Sequence, residues 1–256
     1  MKVKVALGVK FRGFSYHECF SMLEGVDCDG VELLPTLRHL FSDLHLLADL
    51  SKKYNVPVIG IHMPIYFVPY APQMLFTKMI TIKDFFPKAD TYIVHVSSLL
   101  NHFQYNTKKI EKISTIAEEK GITICFESNP RFSFLKYYPK VTYDPDAFGA
   151  FCLKHKLAIT FDTSHISSAG GDIVEFYEKY HKNIKVIHLS DFKNGAEHLP
   201  LGHGSLPLEK LFRSIRKTKL TPRIILEINK FPGITEKKSK KKIIKENIQY
   251  TKELLQ

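Results

Sequence analysis

At 256 residues, with 44% hydrophobic and 25% charged side chains, the chain has the balance of a folded globular protein, which excludes a disordered or fibrous one. No apolar run approaches the roughly 18–20 residues that cross a bilayer. Lys2 and Lys4 interrupt the amino-terminal Val3, Val5 and Leu7 where a signal peptide would be unbroken, and Cys19, Cys28, Cys125 and Cys152 show no C-x-x-C spacing, so a cytoplasmic, reducing setting is expected. The formal charge is +11; seven Lys against three Glu from Glu236 to Gln256 supply four of it, and the remaining +7 favours anionic partners.

Strands are predicted in chain order at Val3–Val9, Gly30–Pro35, Pro57–Pro64, Thr91–Ser97, Thr123–Asn129, Ala158–Thr163, Val186–Asp191 and Arg223–Asn229. Each is a continuous Val/Ile/Leu/Phe run, as parallel strands buried on both faces require. Helical periodicity separates them at Tyr16–Glu24, Leu37–Tyr54, Met74–Phe85, Thr107–Lys120, Asp144–His155, Gly171–His181, Leu208–Lys217 and Lys238–Leu255. Asp144-Pro145 supplies a cap and a first-turn proline, and Gly121 stops the helix before the fifth strand. Eight strand–helix alternations in one domain, residues 1–256, predict an α/β fold closed as a (β/α)8 barrel. The connection from Pro130 to Tyr143 is long for a strand-to-helix loop, and loops at that face read or cover substrate.

Seven of the eight apolar runs end in a metal-binding or acid/base side chain: Glu32, His62, His95, Glu127, Asp162, His188 and Glu227. Side chains alternate along a strand, so Glu127 shares a face with Cys125, Asp162 with Thr160 and Glu227 with Ile225, whereas Phe126, Phe161 and Leu226 face the helices. These acids and imidazoles are therefore expected to meet at the carboxyl ends of the strands. Buried together, the carboxylates need a counter-charge, and mixed imidazole and carboxylate donors suit zinc or manganese better than magnesium or calcium. His165, three residues past Asp162, and His198, in the loop after the seventh strand, extend the cluster; His203, between Gly202 and Gly204, is a weaker member whose glycines allow close approach to a ligand. His17, His39, His45, His102, His155 and His181 read as surface or packing residues.

The segments Gly30-Val31-Glu32-Leu33, Ile61-His62-Met63-Pro64, Val94-His95-Val96, Phe126-Glu127-Ser128-Asn129, Phe161-Asp162-Thr163-Ser164-His165, His188-Leu189-Ser190-Asp191 and Leu226-Glu227 resemble the xylose isomerase-like barrel superfamily. That group contains AP endonuclease family 2 enzymes of the endonuclease IV type and many sugar or sugar-phosphate isomerases and epimerases. The isomerase branch implies one metal on Glu127, Asp162, His188 and Glu227, with two carboxylates, Glu127 and Glu227, moving protons. The endonuclease branch implies further ligands at His62, His95, His165 and His198, with Glu127 bridging two ions. Its third ion uses an aspartate two residues before His198; here that position is Ala196, so two ions per chain are expected. The first strand, Ala6-Leu7-Gly8-Val9, and Pro35-Thr36-Leu37-Arg38 differ from the endonuclease pattern, and Leu199-Pro200-Leu201-Gly202-His203-Gly204 is similar to a turn of the isomerase branch.

The leading expectation is a multi-metal phosphoester hydrolase acting on a phosphorylated small molecule or on nucleic acid such as abasic DNA, because the ring is richer in histidine than proton transfer requires. Arg12, Arg131, Lys193 and Lys230 are the candidate phosphate contacts, joined by Lys10, Arg38 and Lys136 just past strand ends; Arg131-Phe132 and Lys136-Tyr137-Tyr138 interleave charge with rings that stack bases or pack a lid. The alternative is a one-metal sugar or sugar-phosphate isomerase or epimerase using Glu127 and Glu227 as an acid/base pair. A third class is a non-catalytic anion binder. Its support is five lysines between Lys237 and Lys242, although the spacing of Ile243, Ile244, Ile248 and Leu254 makes these the solvated face of the last helix.

Overall fold

The computed structural model describes residues 5–9, 15–36, 38–39, 42–64, 72–96, 107–130 and 140–256. Eight parallel strands close into a barrel in the order β1 (Val5–Val9), β2 (Gly30–Leu33), β3 (Val58–His62), β4 (Thr91–His95), β5 (Thr123–Glu127), β6 (Ala158–Asp162), β7 (Ile184–Leu189) and β10 (Arg223–Leu226), the last pairing with the first. Around it lie α1 (Tyr16–Leu23), α2 (Leu44–Lys53), α3 (Pro72–Phe85), α4 (Thr107–Glu119), α5 (Pro145–Lys154), α6 (Thr163–Ser168), α7 (Ile173–Tyr180), α8 (Leu208–Thr218) and α9 (Lys237–Leu254). No helix among the described residues is long and apolar enough to cross a membrane.

The barrel walls are two-sided, as the unbroken apolar runs require. Ile59, Cys125, Val186 and Ile225 form a small cluster of their own, separate from the main core of strand and helix side chains. Cys125, Val186 and Ile225 each precede a site residue by two positions (Glu127, His188, Glu227), so this cluster is the apolar floor beneath the site. Phe161 faces outward and stacks on Phe176 at 5.3 Å. The register shifts between Val31 and Glu32 where β2 meets β3, the irregularity expected beside a functional mouth.

Three elements differ from the sequence reading. A two-stranded antiparallel hairpin, β8 (Asp191–Lys193) and β9 (Ala196–Leu199), follows β7 where a plain loop was expected, and β7 starts two residues earlier and ends two residues sooner than Val186–Asp191. The turn expected after Asp162 is a short helix, α6, because the Asp162 carboxylate caps it. The helix expected from Leu37 is helical over Leu44–Lys53, while Leu37, Leu40 and Phe41 lie outside the described residues. The cap at Asp144 forms as expected, its Oδ1 accepting from the Ala147 N–H at 2.8 Å. Of the connection from Pro130 to Tyr143, residues 131–139 lie outside the described residues and Lys140–Thr142 is one turn of 3-10 helix.

Candidate metal centre

Register delivers the site. His95 is paired with Glu127 across β4 and β5, and Asp162 with His188 across β6 and β7, while the Glu227 N–H donates to Leu189 O at 3.0 Å just past the end of β10. Each pair therefore ends at one level of the barrel, the level at which parallel strands present functional side chains. Glu32, His62, His95, Glu127, Asp162, His165, His188 and His198 are buried, and Glu227, with 13% of its side chain exposed, is the most open of the cluster.

Glu127 is its centre. Oε2 lies 3.0 Å from His62 Nε2 and 3.1 Å from His95 Nε2, and Oε1 lies 2.9 Å from His188 Nδ1 and 3.7 Å from His165 Nδ1. His188 Nδ1 is also 2.9 Å from Glu227 Oε2 and 4.0 Å from Asp162 Oδ2. Three overlapping groups have ligand atoms within 4.8 Å of one another: His62, Glu127 and His188; Glu127, Asp162, His188 and Glu227; and Asp162, His165 and His198. Donors of this type at such separations can converge on a divalent ion bonded at about 2.0–2.2 Å.

Hydrogen bonding distinguishes the atoms free to ligate. Asp162 Oδ1 accepts from Ser164 N (2.7 Å), Ser164 Oγ (2.9 Å) and His165 N (2.8 Å), whereas Oδ2, although buried, has no hydrogen-bond partner. Glu32 Oε2 and His95 Nδ1 are orphaned in the same way, and Glu227 Oε2, 2.9 Å from His188 Nδ1, has no aligned hydrogen bond. An unsatisfied buried polar atom costs about 1–3 kcal/mol, and several in one cluster fit a bound cation. The His62 Nδ1 to Met63 O contact (3.0 Å) and the His165 Nδ1 to Ser128 O contact (3.0 Å) use one ring nitrogen of each imidazole as donor and leave Nε2 facing inward.

The charges within the cluster are strongly coupled. Burial alone would lower His62, but its hydrogen bond to Glu127 and that carboxylate's charge prevail and hold it up at about 9. His188 is raised well above its ordinary value, burial again being outweighed by Glu32, Glu127 and Glu227. His95 goes the other way, to about 3, because burial dominates and Glu127 compensates only in part. Burial pushes Asp162 up, while Glu127 and Glu227 are held well below the carboxylate range, His188 overcoming burial at both. Protons on His62 and His188 thus balance the carboxylates, the role a bound cation would take over.

His198 reaches the cluster through the hairpin. Its backbone is left-handed (φ 55°), rare for a residue with a Cβ, and its carbonyl accepts from both Asn229 N and Lys230 N at 3.2 Å. The segment just past Glu227 thereby fixes the hairpin, and His198 Nδ1 comes to 3.5 Å from Ser164 Oγ. Ala196 offers no ligand atom beside it.

The phosphate contacts expected from sequence fare differently. Arg12, Arg131, Lys10 and Lys136 lie outside the described residues. Lys193 is exposed on β8, Lys230 is half-buried beyond β10, and neither side chain shows a contact to the cluster. Arg38 is paired with Asp43 at 3.1 Å on the surface. His203 is exposed, and its flanking glycines serve a different partner from the ligand expected. Gly202 N and Gly204 N donate to Asp191 Oδ2 at 3.0 and 2.9 Å, and a Cβ on Gly204 would fall 2.1 Å from Asp191 Oδ1. Of the remaining histidines, His155 pairs with Glu111 at 2.8 Å, and His102 lies outside the described residues.

Glu32 is the residue that sequence reasoning placed at a strand end without giving it a role. Its Oε1 lies 3.1 Å from His188 Nε2, an ion-pair distance at which the N–H does not align for a hydrogen bond. Gly60 on the next strand leaves the space: a Cβ there would lie 3.3 Å from both Glu32 Cγ and Oε2. The signal was the recurrence of acids at strand ends, which included Glu32.

The sequence profile described as xylose isomerase-like TIM barrel matches residues 77–254. The uncharacterized protein ML2432 of Mycobacterium leprae (strain TN) is 21% identical over 232 residues, 78% of this chain and 79% of its own length. A D-tagatose 3-epimerase-like protein superposes with a TM-score of 0.68 at 20% identity, covering 99% of this chain and 100% of that one. An AP endonuclease, family 2, from Brucella melitensis superposes with a TM-score of 0.70 at 14% identity, covering 93% and 96%. The profile spans more than half of the chain, over the strands that carry His95, Glu127, Asp162, His188 and Glu227, and the chain belongs to the xylose isomerase-like TIM barrel family.

Proposed function

We propose that the chain is a divalent-metal-dependent phosphoester hydrolase whose centre holds two ions, zinc or manganese, on His62, His95, Glu127, Asp162, His165, His188, His198 and Glu227. The observation that carries this reading is the two-sided use of Glu127, with His62 and His95 against Oε2 and His188 against Oε1. A carboxylate with imidazoles at both oxygens could hold a cation on either side, where Asp162 Oδ2 and Glu227 Oε2 would join His188 in one half of the donor set. Two bound ions would supply Lewis acidity at a phosphoryl oxygen and a nucleophile at neutral pH.

The residues set the rest of the mechanism. Glu127 fixes the two halves of the centre relative to each other. Glu227, the most open carboxylate, would give Oε2 to a cation and leave Oε1 to orient an attacking water and take its proton. Ser164 and the backbone of His165 hold Asp162 Oδ1, so only Oδ2 turns toward a cation. The apolar floor of Cys125, Val186 and Ile225 excludes water from beneath the strand ends, which strengthens each charge contact. The surplus of basic residues accords with an anionic substrate, a phosphorylated small molecule or nucleic acid.

A second reading, a one-metal sugar or sugar-phosphate isomerase or epimerase, is favoured by a specific observation: Glu127, Asp162, His188 and Glu227 form a complete four-donor group without the other histidines. There Glu127 and Glu227, both 2.9 Å from His188 Nδ1, would exchange substrate protons. Elemental analysis of the purified protein, with assays on an abasic-site duplex, bis(p-nitrophenyl) phosphate and a ketose panel, separates the two. Two ions per chain with phosphodiester cleavage support hydrolysis. One ion with carbon-bound proton exchange and no cleavage replaces it with isomerisation.

A further inference from the structure

A concavity among the described residues lies away from the site, at the end of the barrel where strands enter. Asp90 and Thr91 stand at the start of β4, Thr123 at the start of β5, Lys156 to Ala158 before and at β6, Lys182, Asn183 and Lys185 before and in β7, and Arg223 at the start of β10, around a cavity of about 600 Å³. That volume is within the range of small-molecule sites. Strands of about five residues separate it from the metal centre, roughly 15 Å at 3.3 Å per residue, so the two openings are on opposite faces of the barrel.

Its charge is unbalanced. Arg223 forms the floor, its side chain 9% exposed, with Nη2 paired to Asp90 at 2.7 Å and Nη1 donating to Ile59 O at 2.6 Å and to Thr91 Oγ1. That pair neutralises Asp90. Lys156, Lys182 and Lys185 remain on the wall and have no ion pair among the described residues, and Glu118 is the sole carboxylate left to oppose them. Three like charges around a concave, partly apolar surface concentrate positive potential there. Thr123 and Thr221 bring hydroxyls to the same wall. Ammonium groups and threonine hydroxyls over a buried guanidinium are the donors that phosphate oxygens take.

We propose that this cavity is a second ligand site, distinct from the metal centre, that binds a small molecule through one or two phosphate groups. Neutralising the three lysines would let such a ligand tie together the turns leading into β5, β6, β7 and β10, whose far ends carry Glu127, Asp162, His188 and Glu227.

Titration calorimetry with inorganic pyrophosphate on the purified, metal-containing protein tests this. The double reversal Lys182→Glu/Lys185→Glu is expected to weaken pyrophosphate binding at least about tenfold, the loss of roughly one charge-assisted contact. Lys156→Glu, on a different turn, should act in the same direction, and the parent affinity should fall as salt rises. Lys210→Glu, an exposed reversal on α8 outside the cavity, should leave it unchanged. All three lysines are exposed, so folding should persist in both reversals, with circular dichroism confirming it. Undiminished affinity in both reversals, an equal loss in Lys210→Glu, or no binding at millimolar pyrophosphate would each overturn the proposal.

Discussion

His188 stands between three carboxylates: Nδ1 is 2.9 Å from Glu127 and from Glu227, and Nε2 is 3.1 Å from Glu32. Glu32 thus acts on the cluster through the ring and is a positioning residue. Glu32→Gln keeps the shape and removes the charge, and by the usual effect of outer carboxylates it should weaken divalent-metal affinity about 10–100-fold. Competition with a chelating dye reads that loss, and parental affinity in the variant would remove Glu32 from the scheme. His62 sets the pH dependence. Held up at about 9 by its hydrogen bond to Glu127 and that residue's charge against burial, it stabilises the metal-free protein fully below about pH 6.5, the ordinary value of a histidine in the unfolded chain, and that contribution is lost as pH rises through about 9. Metal ligation needs the neutral ring, so zinc affinity should rise from about pH 6 to 8.5 and binding should release protons. Calorimetry in buffers of different ionisation enthalpy counts those protons; a pH-independent affinity without release contradicts the assignment.

Among the elements, α6 and the β8–β9 hairpin turn strand ends into a site. Asp162 serves twice, with Oδ1 capping α6 and Oδ2 facing the cluster. Asp162→Asn can keep the cap through its remaining oxygen, so stability should change by only about 1 kcal/mol while metal content falls; a collapse of both together would show that the two roles cannot be parted. Asp191 organises the hairpin, its buried carboxylate accepting from Gly202, Gly204 and Leu206 as well as its neighbour Phe192. Asp191→Ala strands those N–H groups, and a loss of about 3 kcal/mol is expected in urea unfolding, with His198 released from its place. The sequence disclosed the strands because an apolar run buried on both faces has no other simple reading. It hid α6, since Thr-Ser-His-Ile-Ser-Ser has weak helical propensity and its start is set by one carboxylate. It misdirected the glycines at 202 and 204, whose close approach is to Asp191.

For the whole molecule, the expectation of a closed eight-strand barrel holds, and so does the convergence of His62, His95, Glu127, Asp162, His165, His188 and Glu227. Strand parity alone carries that much, because alternation fixes the inward face and parallel register fixes the level. Parity says nothing of residues beyond strand ends: His198 depends on a left-handed backbone and a hairpin, and the basic side chains read as phosphate contacts have no periodicity to fix their direction. The overall surplus of positive charge was legible as a number, whereas its concentration around Arg223, at the opposite end from the acids and imidazoles, follows from topology.

Closure of the barrel joins β1 to β10, residues separated by more than two hundred positions, and Glu227 follows directly on that last strand. A ribosome-bound chain that has not yet delivered Arg223 to Glu227 lacks both the final stave and one carboxylate, while Asn229 and Lys230 are absent to hold His198. On the proposed reading, the four-donor group of Glu127, Asp162, His188 and Glu227 exists only once the eighth stave is seated, so the same event that shuts the cylinder completes the cage.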